Sequence, residues 1–288
     1  MTTTTTTTRY TAHGSGLSFR GLLVSEWIKL TSLRSTVWCY AIMVILNIGL
    51  GVLLAGAFPP QADATAASDQ SLWVASSTIG IVFSQLVIAV LGALVITGEY
   101  GTGMIRSTLS AAPKRLPALL AKAVMFALVT FVVSLVSIVA TAIFTQLLLN
   151  GTGRNIDLAD GKAWTALIGG AGFLTLVGLI ALVLGTIVRN SAAGISAILG
   201  LIFVAPIVVS ILAALTRSAW AQNIAEFLPS AVTGNSGAGA RMYGYVVTPA
   251  PNIPGVIVLD PGQGLLVMIA WVLFFGIIAS LLLKRRDA

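Results

Sequence analysis

The sequence predicts an all-α, polytopic integral membrane protein with six transmembrane helices. Only 9% of its 288 residues are charged and 57% are hydrophobic, whereas soluble domains carry about 25% charged residues. A helix needs about 20 apolar residues to cross a bilayer. Six stretches qualify, and none of them contains Asp, Glu, Lys, Arg or His. They are residues 37–58, 72–97, 123–149, 163–188, 191–215 and 264–283.

These spans are predicted to be helices because a backbone in lipid must satisfy its own hydrogen bonds. A transmembrane β-barrel would show short segments of alternating polarity instead. The fourth and fifth spans are joined by only Arg189 and Asn190, which predicts a tight helical hairpin. Pro206 is expected to kink the fifth span. Residues 216–263 form the longest loop and begin with a short helix that should end at Pro229.

The distribution of charge predicts the orientation. An even number of spans places both termini on one side, and Lys and Arg favour the cytoplasmic side. If both termini are cytoplasmic, the inner segments hold twelve of the 16 Lys and Arg residues but only three of the nine Asp and Glu residues. We therefore expect a multi-pass protein of the cell (plasma) membrane with cytoplasmic N- and C-termini. The net charge of +7 then reflects topology, and no nucleic-acid partner is expected.

Two segments precede the first span. Residues 1–16, MTTTTTTTRYTAHGSG, offer no core-forming pattern and are predicted to be disordered. Residues 17–36 are predicted to form an amphipathic helix in the inner membrane interface, in contact with lipid. Its apolar face consists of Leu22, Leu23, Trp27 and Leu30. The charged residues around the rest of the helix are Arg20, Glu26, Lys29 and Arg34. The alternative is a cytoplasmic extension of the first span.

Several polar residues lie inside the predicted spans. Asn47 and Gln85 are uncharged amides, which in lipid usually form hydrogen bonds with a neighbouring helix; the alternative is a contact with a transported substrate. The third span carries hydroxyl groups at helical spacing, at Thr130, Ser134, Ser137, Thr141 and Thr145. This stripe is either a close-packed seam with hydroxyls bonded to i−4 carbonyls or the lining of a path or a dimer seam.

The sequence contains no pattern for catalysis. Cys39 is the only cysteine and His13 the only histidine, so a cysteine metal cluster and a histidine-based intramembrane active site are excluded. The phosphate-binding pattern G-x-x-x-x-G-K-[ST] is absent. Proton-driven transporters normally carry ionisable groups within their spans, and this chain has none there. We therefore expect no enzyme activity and no catalytic, cofactor or metal site in this chain.

A basic, glycine-containing stretch interrupts the apolar sequence between the second and third spans. It reads GEYGTGMIRSTLSAAPKR over residues 98–115. It resembles the corresponding loop of ABC-2 type (export-type) ABC transporter permeases. The residues that carry the resemblance are Glu99, Gly101, Thr102, Arg106, Pro113, Arg115 and Lys122. The stretch SEWIKLTSLRSTVW, residues 25–38, is similar to the family's N-terminal segment.

The resemblance implies that residues 98–117 are a coupling loop, in which a short helix docks on a separate ATP-binding subunit. The implied coupling residues are Glu99, Tyr100, Gly101, Thr102, Arg106, Pro113 and Arg115. Glu99 is expected near the start of that helix, where a carboxylate complements the helix dipole. The alternative is an ordinary basic inner loop that only obeys the positive-inside rule.

The resemblance also implies a function. Residues 37–288 would form the transmembrane domain of a permease subunit in an ABC exporter, which moves an amphipathic substrate such as a natural product, drug, peptide or lipid. The expected partners are an ATP-binding cassette subunit, which would hold ATP and Mg²⁺, and a second permease copy or paralogue. A non-transport membrane scaffold or immunity module is the alternative, and a secondary transporter is disfavoured by the uncharged spans.

Overall fold

The structure is a computed structural model. It describes residues 18–58, 65–104, 115–230, 237–245 and 255–285. Over these ranges the backbone forms helices and no strands. Six helical segments are long and apolar enough to cross a membrane, so the predicted all-α architecture with six spans is confirmed. The tail predicted to be disordered, residues 1–16, lies outside the described residues.

Eleven α-helices are described. In chain order they are α1 (Phe19–Ser32), α2 (Arg34–Ala57), α3 (Ala66–Thr78), α4 (Ile81–Gly101), α5 (Arg115–Gly151), α6 (Gly161–Val188), α7 (Ser191–Leu199), α8 (Ala205–Thr216), α9 (Ala219–Phe227), α10 (Ala238–Tyr243) and α11 (Pro261–Arg285). A π-helical segment, Gly200–Val204, joins α7 to α8. The second span thus consists of α3 and α4, and the fifth of α7, the π-helical segment and α8.

Helix α6 is the centre of the bundle and packs on α4, α5 and α11. Its contact with α4 is close, because a Cβ added at Gly92 would lie 2.4 Å from the carbonyl oxygen of Gly178. The surrounding helices expose large apolar side chains, among them Leu53, Leu215 and Leu266. Such a surface suits lipid or another apolar protein surface. The bundle therefore has a buried apolar centre on α6 and an apolar periphery.

The bundle has two ends, the α1 end and the loop end. The α1 end is where α1, the last turn of α4 and the first turns of α5 meet. The loop end is the opposite end, with residues 152–160 and the described parts of residues 217–260. Helix α3 begins at Ala66, before the predicted start of the second span at residue 72. The physical reason is a capping box, in which Thr65 and Ser68 each accept the other's backbone N–H.

The hydroxyl stripe of α5 packs against α2 inside one chain. The hydroxyls of Thr130 and Tyr40 lie 2.7 Å apart, and Asn47 Nδ2 donates to Ser137 Oγ at 3.2 Å. One turn on, Thr141 Oγ1 donates to the carbonyl of Ser137 at 2.8 Å. These side chains are almost completely buried. The close-packing interpretation therefore describes this structure.

The side chains that were also predicted to line a path or dimer seam are buried in this single chain. Ser134 is fully buried and donates to Met43 Sδ at 3.6 Å. Gln85 is also fully buried, but its Nε2 donates to the carbonyl of Val82 in its own helix at 3.0 Å. The predicted bond to a neighbouring helix therefore holds for Asn47 and not for Gln85. Asn47 faces a hydroxyl of α5, whereas the Gln85 amide bonds within its own helix. The spacing of residues along one span does not specify which neighbouring helix a side chain faces.

Candidate functional site

Four charged side chains form a buried ion network at the α1 end. Glu26 and Lys29 come from α1, Glu99 from the last turn of α4, and Lys122 from α5. Lys122 Nζ lies 2.6 Å from Glu26 Oε2 and 2.8 Å from Glu99 Oε1. Lys29 Nζ lies 2.7 Å from Glu26 Oε1 and 3.0 Å from Glu99 Oε1. Each ammonium group thus contacts both carboxylates, so three helices are joined by one closed set of charges.

The network is electrically balanced, with two carboxylates and two ammonium groups. Glu26, Glu99 and Lys122 are 4–5% exposed, and a charge at such depth is costly unless it is paired. Burial acts to lower the pKa of Lys29, but its hydrogen bonds with Glu26 and Glu99 outweigh that effect and raise its pKa. Each charge of the network is therefore paired with a charge of opposite sign, and the network joins α1, α4 and α5 as a clamp.

Helix α1 turns a charged face towards the bundle. Glu26 and Leu30 are buried, and Lys29 is partly exposed. Trp27 and Ile28 are 46% and 57% exposed and point away from the bundle. The predicted apolar face, which grouped Trp27 with Leu30, is therefore wrong. The reason is that Lys122 and Glu99 provide the inward side of α1 with partners for Glu26 and Lys29, which spacing along α1 cannot reveal.

The outward side of α1 and the first turns of α2 are suited to a membrane interface. Phe19, Val24, Trp27 and Ile28 are exposed large apolar residues of α1, and Trp38 of α2 is 67% exposed. Arg34 is exposed and begins α2. Aromatic and basic side chains of this kind prefer the headgroup region of a bilayer. The interfacial position of α1 stays a prediction, and this surface is compatible with it.

The position of Glu99 differs from the predicted one. Helix α4 continues to Gly101, so Glu99 lies near the C-terminal end of a long helix and not at the start of a short one. The dipole at a helix C-terminus disfavours a carboxylate. The stabilisation comes instead from Lys29 and Lys122, which both contact Glu99 Oε1. The predicted dipole contact is therefore wrong, although Glu99 is a central residue of the site.

The neighbouring loop residues divide into buried and exposed ones. Tyr100 is partly buried, and the Arg189 guanidinium carbon lies 5.3 Å from the centre of its ring, a cation–π geometry. Arg189 also ends α6 in the left-handed conformation at φ 59°, so this contact joins α4 to the turn between α6 and α7. Gly101 and Thr102 are exposed, and Thr102 Oγ1 donates to the carbonyl of Gly98 at 2.9 Å.

The remaining predicted coupling residues are not placed. Arg106 and Pro113 lie outside the described residues. Arg115 begins α5, and of its side chain nothing is described. The structure thus brings Glu99 together with Glu26 and Lys29, and puts Gly101 and Thr102 on the adjacent surface.

Sequence reasoning missed two ion pairs at the loop end. Arg154 Nη1 lies 2.7 Å from Asp69 Oδ1, and both side chains are buried. The carboxylate of Glu226 pairs with Arg241 and accepts the backbone N–H of Leu259 at 3.0 Å. Acidic and basic residues in neighbouring loops were a usable signal for these pairs. Their sequence separations, however, gave no means of choosing which partners would meet.

The comparisons with known proteins point to one family. A family model described as ABC-2 family transporter protein matches residues 22–206. The matched region is more than half of the chain and contains all four residues of the ion network. A search of curated proteins found no match.

Proposed function

The chain belongs to the ABC-2 family of transporter proteins, and we propose that it is the permease subunit of an ATP-driven exporter. The family consists of membrane subunits of ABC transporters, which work with an ATP-binding cassette partner. In this proposal the partner holds ATP and Mg²⁺ and docks at the α1 end. The α1 end then faces the cytoplasm, and the protein lies in the plasma membrane.

The observation that carries the proposal is the ion network beside the α4–α5 connection. Movement of an ATP-binding subunit reaches the spans only through elements that contact both. Lys122 and Glu99 join α5 to α4 at 2.8 Å, and Glu26 joins α1 to α5 at 2.6 Å. A push on the connection is therefore transmitted to three helices as a unit. The exposed residues Gly101 and Thr102 lie directly beside this clamp.

A second contact extends the transmission to the fifth span. Arg189, stacked on Tyr100 at 5.3 Å, belongs to the two-residue turn between α6 and α7. Asn190 caps α7 by accepting the N–H of Ala193 at 3.0 Å. The coupling loop is thus mechanically connected with α7 through one turn. A shift of the last turn of α4 would tilt α7, which lies at the exposed periphery of the bundle.

The proposal includes a second permease, either another copy or a paralogue. Helices α2, α8 and α11 carry exposed apolar side chains, among them Ile45, Leu215 and Leu266. A path for an amphipathic substrate would lie between two such permeases, since the hydroxyl stripe of α5 is closed within one chain. ATP binding and hydrolysis in the partner would open this path alternately to each side.

Co-expression with a candidate ATP-binding cassette protein from the same organism tests the proposal. The purified complex should hydrolyse ATP in proteoliposomes, and inside-out vesicles that contain it should accumulate an amphipathic dye only when ATP is supplied. The control is the same complex with its ATP-binding subunit inactivated in the phosphate-binding loop. A chain that binds no ATP-binding protein would contradict the proposal and favour a membrane scaffold. Ion-driven uptake without ATP would favour a secondary transporter.

A further inference from the structure

The fifth span is interrupted at mid-length by two features that weaken a helix. Residues Gly200–Val204 are π-helical, with Ala205 N–H donating to the carbonyl of Gly200. Pro206 follows at the start of α8 and has no N–H for the carbonyl of Ile202, four residues earlier. Sharp bends in helices occur at prolines and π-bulges. These two features predict a bend of the span between α7 and α8.

The carbonyl of Ile202 receives its hydrogen bond from outside the span. Ser230 Oγ donates to it at 2.9 Å, and both residues are almost completely buried. In a membrane a freed carbonyl must find a partner, and a serine hydroxyl is a known substitute. Here the serine lies 28 residues further along the chain, after α9. The Ile202 carbonyl, next to the predicted bend, thus accepts a hydrogen bond from a separate element of the chain.

Ser230 is in turn held by α10. Its backbone carbonyl accepts the N–H of Ala240 at 3.2 Å. A Cβ added at Gly239 would lie 2.9 Å from that carbonyl oxygen and 2.1 Å from Phe173 of α6. A Cβ added at Gly264 of α11 would lie 2.7 Å from the carbonyl oxygen of Ala238. Ser230 therefore bridges the π-helical segment to a short helix that is packed tightly on α6 and α11.

We propose that Ser230 is a positioning residue through which the loop end sets the bend of the fifth span. The described residues 228–230 and 237–243 form one side of this bridge, and Ile202 of the π-helical segment forms the other. When α10 shifts relative to α7, the hydrogen bond from Ser230 to Ile202 moves the π-helical segment with it. The loop end and the span then change position together, and the bend is not free to relax alone.

Distance measurement between two spin labels tests this inference on the full chain. The labels are attached to cysteines at Ala192 and Leu215, which are exposed near the two ends of the span, in a Cys39→Ser background reconstituted in nanodiscs. Ser230→Ala should shift or broaden the distance distribution, and Ser230→Thr should retain that of the parent. Ser210→Ala is the matched control, because Ser210 donates within its own helix to the carbonyl of Pro206 at 2.7 Å. It should leave the distribution unchanged.

Pro206→Ala makes the test specific. It restores an N–H that can donate to the carbonyl of Ile202, so Ser230→Ala should have no further effect on the distances in this background. If Ser230→Ala alone is too unstable to purify, the inference predicts that adding Pro206→Ala restores a folded protein. A Ser230→Ala distribution identical to that of the parent would overturn the inference. The inference would also be overturned if Ser230→Ala changed the distance distribution equally in the Pro206 and Pro206→Ala backgrounds. It would be overturned as well if Pro206→Ala failed to restore folding of an unstable Ser230→Ala protein.

Discussion

Lys122 Nζ lies 2.8 Å from Glu99 Oε1, and both side chains are almost completely buried. The two residues are 23 positions apart and stand on either side of the α4–α5 connection. Their contact joins the end of α4 to the beginning of α5. Glu26 of α1 lies 2.6 Å from Lys122 and joins α1 to the same pair. The three helices α1, α4 and α5 are therefore joined at this end of the bundle by one set of ion pairs.

Lys122→Met should strongly destabilise the protein. It leaves Glu26 and Glu99 buried with Lys29 as the one remaining cation of the network. Removing one partner of a buried ion pair costs about 3–5 kcal/mol. The measurement is the thermal unfolding midpoint in detergent, and the control is Lys162→Ala, since Lys162 is exposed on α6 and should change stability by no more than about 0.5 kcal/mol. Equal midpoints for the two variants would show that the network is not a clamp.

The double variant Glu26→Gln and Lys122→Met should be more stable than Lys122→Met alone. It removes one charge of each sign, and Lys29 and Glu99 remain as a pair at 3.0 Å. Replacing a complete buried pair by neutral groups is often close to neutral in stability. The same unfolding measurement checks this result. A double variant less stable than the single one would mean that packing, and not charge balance, governs the site.

Gly169→Ala should displace α10 from α6. A Cβ at this position would lie 1.9 Å from the carbonyl oxygen of Met242, so either backbone must move, and overpacking of this kind typically costs about 1–3 kcal/mol. A cysteine at the buried Ala240 of α10 should then react faster with a thiol reagent in the variant. Gly276→Ala of α11 is the control, because nothing lies within 4 Å of its added Cβ. Unchanged reactivity in Gly169→Ala would contradict the described packing of α10.

Tyr245→Phe should weaken the loop end in a manner that depends on pH. The Tyr245 hydroxyl donates to Asp160 Oδ2 at 2.6 Å, and this bond is the main reason that the pKa of Asp160 is lowered from 3.8. A lowered carboxyl pKa stabilises the fold above the ordinary pKa, and the contribution is lost as the pH falls through the lowered one. The variant should lose about 1 kcal/mol at pH 7. The difference in unfolding free energy between variant and parent should shrink at pH 3. A difference that is the same at both pH values would show that Tyr245 does not donate to an ionised Asp160.

Thiol labelling of intact cells checks the orientation. In a Cys39→Ser background, a cysteine at Thr152 of the loop end should react with an impermeant reagent added outside. A cysteine at Thr102 of the α1 end should react only after permeabilisation. Both residues are exposed and follow the end of a long helix, so they are matched in accessibility. The reverse pattern would put the α1 end outside and remove it from any cytoplasmic partner.

The spans could be predicted because length and hydropathy alone decide whether a helix can cross a bilayer. The interruption of the fifth span was also predictable. Pro206 has no backbone N–H and therefore cannot donate to the carbonyl of Ile202 in any helix. The start of α3 at Ala66 was missed because its signal, the reciprocal cap of Thr65 and Ser68, lies outside the apolar run. That short polar pattern was present in the sequence and could have been used.

The candidate site was predictable only in part. Glu26, Lys29 and Glu99 were singled out, but as separate features of an interfacial helix and a loop. That they meet depends on how α1 packs against α5, and nothing within α1 encodes the position of Lys122. The inward face of α1 was misassigned for the same reason. Charged residues in a sequence indicate a solvent-exposed face unless their buried partners are known. Ser230 could not be found from local sequence, since its role depends on a carbonyl 28 residues away.

Photo-crosslinking from Thr102 shows whether an ATP-binding subunit docks at the α1 end. A benzoylphenylalanine is placed at Thr102 in one protein and at Thr152 in its matched control, each co-expressed with a candidate ATP-binding cassette protein from the same organism. Irradiation of the ATP-hydrolysing complex should join the ATP-binding subunit to the Thr102 variant and not to the Thr152 variant. A crosslink from Thr152, or none from Thr102 in a complex that hydrolyses ATP, would rule out docking at the α1 end.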